Sequence, residues 1–480
     1  MSTSWVSAPQ LRDRVAATPF LAPVYRDLAE RVRLLVVDGR LTHGLRMPSE
    51  RDLAEILQLS RSTVAAAYTQ LRADGYLVAR QGSGNFVSVP HSRVVSTHLP
   101  GPFGEEDGSI GMTCASGSAP AALAAHFRAA AERLPDLLGG SGYLPDGLEE
   151  LRIELAAWFT GRGLRTDPDQ LIITAGALSA LNIVGRCLLS AGDKVLLESP
   201  TYSNAIDALR HSGGRTVAYP VSAAGWDTAG FEQALRQNSP ALAYLIPEFQ
   251  NPTGAWMGED ERRGIARSLR RHRTRAIVDE TLVELSLDGE APRTPLAAHL
   301  PDAVTIGSAS KAFWGGLRIG WIRAPHDLVR PMIETRAAMD LGAAPFEQLV
   351  AARLLADRET VLGQQRTRLR EQRDHLAQRL AETLPDWQLV LPAGGLTLWI
   401  SLPDESSSRL AAAAHSHGVV VTPGPRFYVG GGGERNLRLP YTATETVLTE
   451  AVERLAAVWA DVHRRHGRSA AGSQTMDLIA

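Results

Sequence analysis

Two lysines stand out in a chain that otherwise uses arginine. Of 50 lysine and arginine residues, only Lys194 and Lys311 are lysines. Arginine supplies a cation almost anywhere, but it cannot give up its proton to become a nucleophilic amine. Lys311 lies in Gly307-Ser308-Ala309-Ser310-Lys311, followed by Gly315-Gly316-Leu317-Arg318. Two hydroxyls and an arginine suit a phosphate. A partly buried lysine beside them suits Schiff-base chemistry with an aldehyde. Together they point to pyridoxal 5′-phosphate (PLP), an aldehyde with a phosphate arm. Taken alone, Ser-Ala-Ser-Lys is more often a surface loop with a solvated lysine. Lys194, in Gly192-Asp193-Lys194, has no such company and reads as a solvated turn.

Other candidates fall at comparable places. Asp279 follows the apolar run Ala276 to Val278 and could hold a protonated pyridine nitrogen, although such aspartates are more often helix caps. Gly176-Ala177 opens a helix after Leu171 to Thr174, where free N–H groups can cradle a phosphate. Asn251 begins Asn-Pro-Thr-Gly after Leu242 to Ile246. Tyr202 could stack on an aromatic ring or simply belong to the core. Arg438 could clamp a carboxylate bidentately or sit on the surface.

The elements that must position these residues are short apolar strands alternating with helical patterns. Leu171–Thr174, Val195–Leu197, Leu242–Ile246, Ala276–Val278 and Val304–Ile306 read as buried strands. That is the pattern of an α/β domain with a mostly parallel sheet. Ligands bind such sheets beyond the carboxyl ends of the strands, and Gly176, Tyr202, Asn251, Asp279 and Lys311 each follow one of these runs.

The first ninety residues differ. They carry 11 Arg against 8 acids. Val24, Leu28, Val32 and Leu35 recur at helical spacing. Ser49 caps a second helix, with Asp52 three residues on. Ser60 caps a third, whose apolar face is Val64, Ala67, Tyr68 and Leu71, ending at Gly75. Two short strands, Tyr76–Val78 and Phe86–Val89, flank the turn Gly82-Ser83-Gly84. This order is that of a winged helix-turn-helix, whose second motif helix enters the DNA major groove by its N-terminus. Here that end carries Arg61, Ser62 and Thr63. The alternative is a small helical domain with solvated arginines.

Composition bounds the rest. The 480 residues are 44% hydrophobic and 21% charged, with a net charge of −2, which excludes a disordered or polycationic chain. Two cysteines make neither a disulfide framework nor a four-cysteine zinc site, and no metal site is expected. They read as reduced thiols in a cytoplasmic protein. No apolar run approaches the ~18 residues of a membrane span. The expected domains are a winged helix over 1–90, a linker over 91–114, a PLP-binding domain over 115–465 and a disordered tail over 466–480.

The run from Met47 to Val87 resembles the GntR-type winged helix. The resemblance implies DNA contacts by Arg51, Ser60, Arg61, Ser62, Thr63 and the wing residue Gly82. Residues 115–465 resemble the fold-type I aminotransferases, a mostly parallel large domain with a smaller α+β subdomain. The matching elements include Tyr143-Leu144-Pro145, Thr174-Ala175-Gly176, Pro200-Thr201-Tyr202, Asn251-Pro252-Thr253-Gly254, Asp279, Ser308 to Lys311, Arg318 and Arg438. By that resemblance Lys311 would bind the cofactor covalently, Asp279 would pair with the pyridine nitrogen and Tyr202 would stack on the ring. Asn251 would bond the 3-oxygen, and Gly176, Ala177, Ser308, Ser310 and Arg318 would hold the phosphate. Tyr143 would reach the phosphate of a partner subunit, and Arg438 would take an effector or substrate carboxylate. The whole chain resembles the MocR/GabR family of transcriptional regulators. This implies double-stranded promoter DNA as partner, an amino compound or PLP as effector, and a head-to-tail homodimer. One departure is chemical: relatives usually carry a tyrosine shortly after the ring aspartate, whereas here Glu280, Thr281 and Leu282 follow. Slow or absent transamination is therefore expected. Two alternatives stay open: a working aminotransferase with an accessory DNA-binding domain, and a regulator whose large domain no longer binds PLP.

Overall fold

The computed structural model describes residues 5–16, 19–37, 40–41, 44–80, 83–88, 109–289 and 294–474. Near the N-terminus, helices Ala8–Val15, Val24–Val37, Glu50–Leu57 and Arg61–Ala73 precede an antiparallel hairpin of β1 (Leu77–Arg80) and β2 (Gly84–Val87). Both expected caps form. Ser49 Oγ accepts from Asp52 N at 3.1 Å, and Ser60 Oγ accepts from Thr63 N at 3.0 Å. Each satisfies a backbone donor that the helix's first turn leaves open. Leu28, Val32, Leu53, Val64, Tyr68 and Leu71 close a core of their own. The first helix, Ala8–Val15, was not expected from sequence; its Ser7 and Gln10 form a capping box.

The larger part, from Ile110 onward, is built on two sheets. The strands are β3 (Ile110–Met112), β4 (Leu171–Thr174), β5 (Lys194–Ser199), β6 (Arg215–Pro220), β7 (Leu242–Leu245), β8 (Arg275–Asp279), β9 (Val304–Ser308) and β10 (Gly320–Arg323). They continue with β11 (Gln388–Leu389), β12 (Thr397–Ser401), β13 (Val419–Pro423) and β14 (Asn436–Pro440). The seven-stranded sheet runs β4-β10-β9-β8-β7-β5-β6. Its strands pair in parallel except β10, which is antiparallel to both β4 and β9. One apolar layer, with Ile173, Leu196, Val278 and Trp321, covers one face; another, with Ile172, Leu197, Ile277 and Ile306, covers the other. Burial on both faces is why these strands read as continuous apolar runs. The five-stranded sheet, β11-β12-β14-β13-β3, belongs to the smaller subdomain and has a separate core around Leu398, Leu437 and Leu439.

Three boundaries differ from expectation. Residues 110–112, inside the expected linker, form β3 and pair in parallel with β13. A three-residue strand whose partner lies some three hundred positions away leaves no local periodicity. Lys194, expected in a turn, opens β5 opposite Arg215. The final helix runs from Glu445 to Gln474, through part of the expected tail; residues 475–480 lie outside the described residues. Among the described residues, no helix is long and apolar enough to cross a membrane.

Candidate functional site

Lys311 sits on a short helix, Ala309–Ala312, directly after β9. Ser308 caps it, accepting from Ser310 N at 3.1 Å, while Ser308 Oγ also donates to Ser310 Oγ at 2.9 Å. The Lys311 ammonium donates to the carbonyl of Ala115 at 2.8 Å. Burial holds its pKa below the ordinary value. The nearby cations Arg438 and Arg318 act in the same direction, against Cys114 and Asp279. A lysine depressed in this way keeps more of its amine form near neutrality, as an amine nucleophile requires.

The antiparallel β10 explains how a phosphate cradle forms. It lies between β4 and β9, so the turn before it meets the loops after both neighbours. Gly320 approaches so closely that a Cβ there would come within 2.5 Å of the Gly176 carbonyl carbon and 2.7 Å of Ala177 N. Arg318 Nη2 donates to Ala175 O at 2.9 Å. A Cβ on Gly176 would strike the Arg318 guanidinium at 2.8 Å, and Gly176 has a φ of +97°, which also favours glycine. The helix Ala177–Leu188 that starts here has no side-chain cap. Its open N–H groups, the Arg318 guanidinium and the Ser308 and Ser310 hydroxyls thus border one space, a composition that fits a phosphate dianion.

Asp279 ends β8 and is buried, at 7% exposure. Its carboxylate accepts from Tyr244 OH at 2.7 Å and Thr281 N at 2.9 Å. Burial raises its pKa, against the pull of those hydrogen bonds. A buried aspartate so held is suited to a protonated ring nitrogen, whose charge would offset the desolvation. Tyr202, after β5, accepts from Asn204 Nδ2 at 3.0 Å. Its ionisation is influenced by Asp279, Arg438 and Arg318, after the larger upward effect of burial. Arg438, on the central strand β14, donates to Asn251 Oδ1 at 3.3 Å and to the Thr113 carbonyl. Its guanidinium carbon lies 4.8 Å from the centre of the Phe427 ring. Burial lowers its pKa to about 10.

The structure therefore gathers Lys311, Ser308, Ser310, Arg318, Gly176, Ala177, Asp279, Asn251, Tyr202 and Arg438 around the strand ends. Tyr143 is not among them; it is 65% exposed. In the N-terminal domain, Arg51, Ser60, Arg61 and Ser62 are exposed and Thr63 is half-buried. Ser60 Oγ lies 2.8 Å from Ser62 Oγ and 2.7 Å from Thr63 Oγ1. Gly82 lies outside the described residues. Sequence reasoning missed Tyr244, which reads as one more apolar strand position, and the carbonyls of Thr113 and Ala115, which no side-chain pattern marks. Among the described residues, no group of three or more His, Cys, Asp or Glu is placed to hold a metal ion.

Comparison with known proteins agrees with this arrangement. Residues 120–455 match the family described as aminotransferase class I and II, and residues 24–87 match the bacterial regulatory proteins of the gntR family. The probable rhizopine catabolism regulatory protein MocR of Rhizobium meliloti is 30% identical over 361 residues, 70% of this chain and 71% of that protein. The HTH-type pyridoxine biosynthesis transcriptional regulator PdxR of Corynebacterium glutamicum is 28% identical over 423 residues, 85% of this chain and 90% of its own. Among solved structures, LysN of Thermus thermophilus is 29% identical. It is an α-aminoadipate aminotransferase complexed with N-(5′-phosphopyridoxyl)-L-leucine. It has a TM-score of 0.67, with 74% of this chain and 93% of that one covered. The chain belongs to the class I and II aminotransferase family, in the MocR-type group of regulators in which a gntR-family domain precedes the aminotransferase fold.

Proposed function

We propose that the protein is a PLP-dependent DNA-binding transcriptional regulator whose aminotransferase-like half senses an amino compound or PLP itself. One observation carries the reading: Lys311, Asp279 and Arg318 gather around one set of strand ends in a chain that also carries a capped helix with an exposed first turn. Lys311 is the covalent attachment point. Asp279 holds the ring nitrogen, with Tyr244 and Thr281 fixing its carboxylate. Tyr202 stacks on the ring and Asn251 bonds the 3-oxygen. Gly176, Ala177, Ser308, Ser310 and Arg318 hold the phosphate. Arg438 takes a carboxylate of the incoming compound. When bound, the cofactor supplies an aldehyde for amines and an electron-accepting ring.

The half that binds DNA uses Arg61, Ser62 and Thr63 at the helix start, with Arg51, Ser60 and Gly82 beside them. The active form is a head-to-tail homodimer in which the exposed Tyr143 reaches its partner's phosphate. Sensing requires only that the ligand favour one of two arrangements; turnover needs more, including tuned proton transfer. The absence of a tyrosine soon after Asp279 favours slow transamination, with the Thr281 hydroxyl standing near in its place. The names of the two regulators support the sensing role, while the likeness to LysN keeps a working aminotransferase as the second reading.

The test is direct. Purified protein supplied with PLP should be yellow, and borohydride should fix the cofactor to the peptide containing Lys311. The same protein should bind promoter DNA with an affinity that changes with PLP or an amine. Rapid keto-acid production with no effect of PLP or amine on DNA binding would make the protein an enzyme first.

A further inference from the structure

We infer that the run Thr113-Cys114-Ala115 is the transmission element between the cofactor site and the DNA-binding domain, because two of the side chains that hold it are groups that the cofactor and an effector would engage. The inference rests on the proposed function. In chain order, β3 is the first described element after the residues that leave the N-terminal domain. It is fastened to the smaller subdomain by pairing with β13, including Ile110 N to Gly418 O at 2.8 Å, and by Met112, which is 1% exposed in that subdomain's core.

Beyond Met112, three consecutive carbonyls are each held by a side chain. Arg438 donates to Thr113 O, Thr442 Oγ1 to Cys114 O at 3.4 Å, and Lys311 Nζ to Ala115 O at 2.8 Å. Ser118 is then anchored by Arg368, whose Nη1 donates to Ser118 Oγ at 2.8 Å. The run thus crosses from the smaller subdomain to the large domain over the site. Two of its three tethers are the groups a ligand takes for itself. If the Lys311 amine condenses with the aldehyde, a C=N bond replaces the C=O bond, two nitrogen-bound hydrogens leave with the oxygen as water, and the nitrogen no longer presents an ammonium to Ala115. A carboxylate at Arg438 competes with a neutral carbonyl and wins, because it meets the guanidinium charge with an opposite one and can accept two parallel hydrogen bonds. Filling the site therefore withdraws tethers from the strand on which the linker hangs. The ligand's differential affinity for the held and released forms is then what reaches the DNA-binding domain.

Amide hydrogen exchange of the full-length protein, read by mass spectrometry on peptides covering 109–118, tests this. Lys311→Met removes the donor without any cofactor. Its apoprotein should exchange this segment on the order of tenfold faster than wild-type apoprotein, as the loss of one or two hydrogen bonds from a local opening unit implies. Wild type saturated with PLP should reach the same fast state, and the variant should ignore added PLP. Thr442→Val, outside the cofactor site, should give intermediate exchange with the visible PLP band intact. Promoter-DNA affinity of Lys311→Met without cofactor should match that of PLP-loaded wild type. A Lys311→Met apoprotein with wild-type apo exchange and wild-type apo DNA affinity overturns the inference. A wild type that gains no visible band with PLP is a different failure, that of the proposed function, and the comparison of apoproteins still decides the tether.

Discussion

Glu198 shows how a residue with no expected role can set the positions of several that have one. It closes the inner part of β5 and is fully buried. Its carboxylate accepts from Trp226 Nε1 at 2.8 Å, Ile246 N at 3.2 Å and Gln250 Nε2 at 3.0 Å. Gln250 also donates to Pro200 O at 2.8 Å. The network therefore ties the loop bearing Tyr202 to the loop bearing Asn251. Burial pushes the Glu198 pKa up to about 8 from an ordinary 4.5, against the three donors. A raised carboxyl pKa means the folded state keeps a proton that the unfolded chain releases. This contribution to stability is complete below about 4.5 and is lost as pH rises towards about 8. Glu198→Gln should flatten the stability–pH curve across that window. Above about pH 8, where the wild-type group is a carboxylate accepting from all three donors, the variant should also cost about 1–3 kcal/mol, because an amide NH2 then faces donors. Urea unfolding at a series of pH values measures both; parallel curves for variant and wild type would exclude Glu198 as the titrating group. In sequence, Glu198 is an acid in an apolar run, and nothing local reveals that its partners lie 28 to 52 positions away. Lys311 was legible for the opposite reason: a lysine in an arginine-rich chain, beside two serines and an arginine, is informative in one dimension.

At the scale of elements, buried strands and capped helices were readable because burial and capping leave periodic or positional marks. The strand β10 was not among them. Gly-Trp-Ile-Arg is short, and its role depends on insertion between β4 and β9. Yet that insertion is what sets Arg318 beside Gly176. The helix Arg61–Ala73 was legible to its cap, and its prediction belongs at this scale. The helix presents its first turn outward, with Arg61 exposed and acidic residues absent there. Arg61→Ala should weaken binding to promoter DNA by about 1–3 kcal/mol and relax the preference at one base pair. Binding by the wild type should fall steeply with salt, since phosphate contacts release counterions. Fluorescence anisotropy against a set of singly substituted duplexes separates the two effects. A uniform loss over all duplexes would reassign Arg61 to the phosphate backbone.

Across the whole molecule, the DNA-binding domain is attached to the rest by more than its linker. Helix Val24–Val37 packs against helix Ser407–Ser416 of the smaller subdomain. Arg40 Nη2 donates to Glu434 Oε1 at 2.9 Å, and the Glu434 carboxylate also accepts from Ser408 N at 3.0 Å and Ser408 Oγ at 2.9 Å. Glu434 follows four glycines, Gly430 to Gly433, all with positive φ, so its loop takes a path that other residues would resist. Further along the same loop, Val429 N donates to Ser199 Oγ at 3.2 Å and Phe427 O accepts from Thr201 N at 2.9 Å. The dock is thus continuous with the strand end that carries Tyr202. Both Arg40 and Glu434 are mostly shielded, with side-chain exposures of 23% and 28%, so the pair should reach the upper part of the range for surface ion pairs, about 1 kcal/mol. Arg40→Ala should therefore open this contact about fivefold more often. Amide exchange should quicken on the facing sides of both helices, while the visible PLP band stays unchanged. Because the domain would then sample more orientations, PLP should shift DNA affinity less in this variant than in wild type. If exchange in both helices and the PLP response match wild type, the ion pair does not hold the dock, and orientation of the DNA-binding domain is left to the linker and the strand from which it departs.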